Sequence, residues 1–179
     1  MNGDAPFGKE PEQSHDPQSS NPNGLAAFET LGEFLRQDGW HPQRVEGRTV
    51  YRTFFSGQNG EYRCFAQVIV HLEQFLFYAV AAVHVPGELY PAVAEFITRA
   101  NFGLRIGNFE LDYQDGEVRY KTGLDFEDEK LTPALIRNAI YPAVTTMDRY
   151  FPGLMKVVYG GRTPYELSLI HISEPTRPY

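Results

Sequence analysis

Two dipeptides constrain the architecture more than anything else in the chain. Asn59-Gly60 separates the alternating, β-rich runs 50–56 and 61–72, and Asp115-Gly116 separates 107–113 from 117–124. An Asn-Gly or Asp-Gly pair between alternating segments signals a hairpin, because both residues accept the positive φ of a tight turn. Residues 75–84 supply a third strand behind the first hairpin, with a turn expected at Glu73-Gln74. Hairpin-joined strands run antiparallel, whereas parallel neighbours need a crossover of a dozen or more residues.

Three helices are expected around these strands. Leu25, Phe28, Leu31 and Leu35 recur at helical spacing until Asp38-Gly39. A second helix over 88–100 buries Leu89, Val93, Phe96, Ile97 and Ala100, with Pro91 in its first turn and Asn101 in the left-handed position at its end. The third starts at Thr132-Pro133, an N-cap followed by proline at the first helical position. Its buried stripe is Ile136, Ile140, Ala143, Met147, Tyr150 and Leu154, and Pro142 is expected to kink it. Pro152 and Gly160-Gly161 are expected to bracket a separate last turn. The order is α-β-β-β-α-β-β-α, an α+β fold with a five-stranded antiparallel sheet.

The second hairpin carries an internal check. A two-residue turn at Asp115-Gly116 pairs Tyr113 with Val118, Asp112 with Arg119, Leu111 with Tyr120 and Glu110 with Lys121. Both charge pairs then have opposite signs, and Phe109, Leu111, Tyr113, Val118 and Tyr120 share the core face.

A chain of 179 residues suits one domain, taken as 24–166. Residues 1–23 are rich in Gly, Pro, Ser, Asn and Gln and are expected to be a disordered tail. The string LSLIHISEPTRPY at 167–179 resembles a translated sequencing adapter, so it is set aside as non-native or disordered, with His171 inside it. The N-terminus has no apolar targeting segment and no run approaches the ~20 residues of a membrane span, which points to the cytoplasm and away from a membrane partner. A net charge of -7 disfavours nucleic acid as a partner.

The usual catalytic signatures are absent: there is no GxGxxG, P-loop, HExxH or GxSxG string. Cys64, the one cysteine, lies mid-strand with Ala66 and Val68 on its face and reads as a buried structural thiol. His71 and His84 fall on one sheet face at strand ends, which makes a histidine pair conceivable; solvated histidines are commoner. The acidic run 125–129 lacks the ligand spacing of an EF-hand and reads as a solvated cap of the third helix. No catalytic residue, metal or cofactor is expected, and the chain reads as a non-enzyme.

One feature points outward. Tyr51, Thr53, Phe55, Cys64, Ala66, Val68, Val70, Phe77, Ala79 and Ala81 form the core face of the first three strands. The opposite face should alternate to polar if water covers it. It instead carries Val50, Phe54, Phe65, Ile69, Leu76, Tyr78, Val80 and Ala82, broken by Arg52, Gln67, His71 and His84. All of these apolar positions but Ala82 are the candidate protein-binding residues. The competing reading has the first helix, or the kinked end of the third, folded over them. A small-ligand pocket between sheet and helices, lined by Phe54, Phe65 and Tyr78, is a further alternative, as is chemistry at His71 or His84.

The string NFGLRIGNFELDYQDGEVRYKTGLDFEDEKLT (101–132) and the helix through MDRYFPGLMKVVYGG (147–161) resemble the YbjN family, with similarity running over about 25–166. Asn101, Gly107-Asn108-Phe109 and Asp115-Gly116 are its most specific part. The resemblance implies a bacterial sensory transduction regulator with a fold similar to type III secretion chaperones, which are homodimers that bind client proteins. It therefore implies an adaptor-like function, a homodimer and an unknown protein client; it transfers no residue list, and Ile97, Phe109 and Leu111 are taken separately as candidate dimer residues.

Overall fold

The computed structural model describes residues 21–161 and residue 163. The expected order is present, with one strand added. Helix α1 (Pro22–Gln37) leads into β1 (Gln43–Arg44), β2 (Val50–Ser56), β3 (Glu61–Ile69) and β4 (Gln74–His84). Helix α2 (Tyr90–Phe102), β5 (Asn108–Leu111), β6 (Glu117–Asp125) and α3 (Pro133–Tyr159) follow. The sheet has six strands in the order β1-β2-β3-β4-β6-β5, with every neighbouring pair antiparallel. The sixth is β1, too short to show periodicity: Gln43 lies opposite Arg52, and Gly47 at φ +70 turns the chain back so that Val45 N–H reaches the Val50 carbonyl at 2.9 Å. The stretches expected to be tails lie outside the described residues, save that α1 starts at Pro22 with Asn21 as its cap, a few residues before Leu25.

Every hairpin register differs from its expected value by an even number of residues, so no residue that stays paired in a strand changes face. Ser56 pairs with Glu61 and Gly57 N–H bonds to the Gly60 carbonyl at 2.8 Å, which puts Gln58-Asn59 at the tip instead of Asn59-Gly60. Ile69 pairs with Gln74 around the turn Val70–Leu72, closed by Glu73 at φ +51. In the second hairpin Leu111 lies opposite Val118 and Glu110 opposite Arg119. The loop there holds four residues, since Asp112 N–H bonds to the Glu117 carbonyl at 2.9 Å. Asp112 and Asp115 each accept a main-chain N–H two residues on, and this Asx-turn chemistry favours the longer loop. The expected Asp112–Arg119 pair is therefore not formed. Tyr113 is 62% exposed instead of core-facing, resting its ring 5.1 Å from that of Tyr90.

All three helices pack on one face of the sheet. Phe28, Leu31 and Leu35 of α1, Val93, Phe96 and Ile97 of α2, and Ile136, Ile140 and Met147 of α3 meet Cys64, Ala66, Phe77, Ala79 and Tyr120 in one core. Alanines on the strands leave room for the helices, and each large apolar side chain buried there contributes about 1.5–3 kcal/mol. Among the described residues no helix is long and apolar enough to cross a membrane.

Helix α3 runs unbroken for 27 residues through both Pro142 and Pro152, so no separate last turn exists. Pro152 lacks the N–H that would bond to the Asp148 carbonyl. That carbonyl accepts the Asn59 side-chain amide at 2.9 Å instead. The Asp148 carboxylate accepts N–H of Gln58 at 3.0 Å, N–H of Asn59 at 2.8 Å and the Tyr62 hydroxyl at 2.8 Å. Helix and turn approach closely enough that a Cβ on Gly57 would lie 2.1 Å from this carboxylate, and one on Gly60 2.9 Å from the Phe151 ring. Partial burial alone would raise the Asp148 pKa, but the bonds from Asn59, Tyr62 and Gln58 outweigh it and hold the carboxyl below its ordinary value. Desolvation and the same carboxylate push the Tyr62 phenol up.

Helix α2 extends past its expected end. Asn101 stays helical and Gly103 caps the helix. The Asn101 amide is thereby free to reach β5: it accepts N–H of Phe109 at 2.7 Å and donates to the Phe109 carbonyl at 3.1 Å.

Candidate interaction surface

With all helices on one side, the other face of the sheet belongs to strand side chains. Neither α1 nor α3 folds over it: Phe28 of α1 stacks on Tyr51 at 4.5 Å, and the Ala139 carbonyl of α3 accepts the Thr122 hydroxyl at 3.0 Å, both on the core side. Val50, Phe65, Tyr78 and Val80 form a second, smaller apolar cluster on this outer face, with half-buried Val45 and Leu76 packed against it. These four are buried, Ile69 and Leu76 are half-buried, and Phe54 is 59% exposed. The seven expected residues do share one face. Only Phe54 among them presents most of its side chain outward.

The cluster has a charged rim. The Arg119 guanidinium lies 4.6 Å from the Tyr78 ring centroid and pairs with Glu110 at 2.7 Å; Lys121 pairs with the same carboxylate. Burial alone would raise the Glu110 pKa, yet Lys121 and Arg119 overcome it and hold the carboxyl low. Arg63 reaches Glu117 at 3.5 Å, and burial keeps the Glu117 carboxyl raised despite that guanidinium. Arg52 bonds to Gln43 at 2.8 Å. A chain of net charge -7 thus carries Arg52, Arg63, Arg119 and Lys121 around one apolar centre. Sequence reasoning counted Arg52 as an interruption and missed the ring. Its signal was available, since alternation places Arg63, Arg119 and Lys121 on the same face as Phe65 and Tyr78.

Other expected sites are placed differently. Phe54, Phe65 and Tyr78 point away from the helices, so they line no pocket between sheet and helices. His71 sits in the turn before β4 and His84 ends that strand, about 30 Å apart for a strand of this length, so they form no pair. Cys64 is buried, and burial pushes its thiol up, as for an unreactive cysteine. In the acidic run, Asp125 caps the Glu127 N–H and accepts from Gln74, while the cap of α3 is Thr132. Ile97 and Phe109 are only 7% and 4% exposed, inside the chain's own core; of the candidate dimer residues only Leu111 is half-exposed.

Comparison with known proteins agrees with this geometry. A family model described as "YbjN: Putative bacterial sensory transduction regulator" matches residues 27–155. A solved structure, "Crystal structure of YbjN, a putative transcription regulator from E. coli", superimposes with a TM-score of 0.52 at 16% identity, covering 70% of this chain and 92% of that one. No curated protein matches. The similarity to the solved structure is one of fold, and the match to the family model spans well over half of the chain: the chain belongs to the YbjN family.

Proposed function

We propose that this chain is a non-enzymatic regulator that acts by binding protein through the outer face of its sheet, as a chaperone-like adaptor in the cytoplasm and as a homodimer. The observation that carries the reading is Phe54, 59% exposed opposite Arg63 on the sheet face that carries no helix, beside the already buried cluster of Val50, Phe65, Tyr78 and Val80. An apolar centre with a polar rim is the anatomy of a protein interface. Guanidinium and ammonium groups there favour a partner segment that mixes apolar and acidic residues. The family description as a regulator supports a role without bond chemistry. The similarity to secretion chaperones suggested by the sequence supports client binding.

Light scattering of the full chain across a concentration series tests this. The wild type is expected at twice its 20.4 kDa monomer mass, and Phe54→Asp at the monomer mass. Because Phe54 is exposed, the substitution should change folding stability by only about 0.5 kcal/mol. A wild type that stays monomeric at the highest concentration would remove the homodimer. A Phe54→Asp variant that still dimerises would move the seam off this face.

A further inference from the structure

β5 ends the sheet, and an edge strand ordinarily offers unpaired N–H and C=O groups to any strand that meets it. Since Asp112 bonds to Glu117 across the hairpin, antiparallel alternation turns the main-chain groups of Asn108, Glu110 and Asp112 toward β6. Phe109 and Leu111 point theirs outward. Both outward groups of Phe109 are taken by the Asn101 carboxamide, at 2.7 Å for N–H and 3.1 Å for the carbonyl, where a partner strand's peptide group would sit. Asn108 adds a longer bond of 3.3 Å to the same carbonyl. The amide is held in place by its surroundings: Gly103 ends α2 just beyond it, and the Tyr120 hydroxyl fixes the returning loop through the Ile106 carbonyl.

We infer that Asn101 is a plug on the β5 edge, and that its removal lets a second copy of the chain add to the sheet there. A second copy is the fitting occupant because an edge strand paired with itself about a two-fold axis is self-complementary. The pairing sets Phe109 of each copy against Leu111 of the other, two bonds at each place. Every one of those bonds uses a main-chain group of Phe109, so the plug blocks them all. The two Glu110 carboxylates that meet at the centre each bring their own Arg119 and Lys121. Phe102, 95% exposed, and Ile106 flank the edge and would lose contact with water on pairing. The other edge of the sheet, β1 with β2, differs from β5, so the assembly closes at two copies.

In a Phe54→Asp background, which takes the outer face out of play, full-length Asn101→Ala is expected to show twice the mass of the same chain with Asn101 intact at equal concentration. Adding Leu111→Pro, which deletes an outward N–H at an edge position that tolerates proline, should restore the mass seen with Asn101 intact. A folded Asn101→Ala with unchanged mass overturns the proposal, as does a mass that Leu111→Pro fails to lower or one that climbs without limit. If Asn101→Ala does not fold, amide exchange in the wild type decides: Phe109 N–H should exchange about tenfold more slowly than Leu111 N–H, and equal rates sink the plug. Because Phe54→Asp disables the outer face in every variant compared, the result is independent of whether that face binds protein.

Discussion

Asp148→Ala is expected to lower the free energy of unfolding by about 2–3 kcal/mol, read as a shift of the urea midpoint at constant slope. The substitution takes the acceptor from N–H of Gln58, N–H of Asn59 and the Tyr62 hydroxyl at once, together with a longer 3.4 Å bond from the Asn59 amide. Bonds to a charged acceptor are worth about 1.5–3 kcal/mol each when desolvated, but Asp148 is only half-buried, so solvent screens them and holds the total to the lower figure. Tyr62→Phe removes one donor and should cost about 1 kcal/mol; the double variant should cost less than the two singles added. The effect also has a pH signature. A carboxyl whose folded pKa lies below its unfolded value stabilises fully above the unfolded value, here 3.8, and loses that contribution as pH falls through the folded one. Wild type and Asp148→Ala should therefore converge below about pH 4. A gap that stays constant from pH 7 to pH 2 would show that the carboxylate is not the source.

Gly107→Ala is expected to cost about 3–4 kcal/mol, from two additive causes. Gly107 has φ +76, where an L-side chain is strained by about 1–2 kcal/mol. The added Cβ would also lie 2.5 Å from the Lys121 carbonyl oxygen and 2.7 Å from both the Thr122 methyl and the Tyr120 ring. Overpacking against backbone and a fully buried ring adds about 1–3 kcal/mol, because neither can move aside cheaply. Gly39 separates the two causes: it has φ +80 and open space around its Cβ position, so Gly39→Ala should show the strain alone, about 1 kcal/mol. Equal losses at the two glycines would mean that crowding at Gly107 is relieved by movement of β6.

Residue pattern carried the layout of elements and the faces of the strands, because both follow from short-range periodicity. Phe109, Val118 and Tyr120 face the core as alternation requires, although their hairpin pairs are shifted by two residues. Turn lengths were not legible. They depend on which side chains seize free N–H groups, as Asp112 and Asp115 do in one hairpin and Asp148 does from a distant helix in the other. Pro152 read as a helix end because local propensity counts a missing N–H as a loss; the Asn59 amide that replaces it lies far off in sequence. Asn101 read as a left-handed cap for the same reason: its service to Phe109 is visible only once α2 and β5 lie side by side. On the outer face, alternation located all seven apolar candidates but not their burial. That depends on β1 and on the reach of Arg119 across Tyr78, neither of which period-two counting weighs.

The bonds between Asp148 and the β2–β3 turn join residues 86 to 90 apart in sequence. On a ribosome the hairpin therefore emerges well before the helix that completes its turn. The apolar surface that Ile136, Ile140 and Met147 later cover must wait as well, with Phe77, Ala79 and Tyr120 open to whatever is near. The core therefore cannot close until α3 has been made. Substitutions along the Asp148 clasp should then speed unfolding far more than they slow folding.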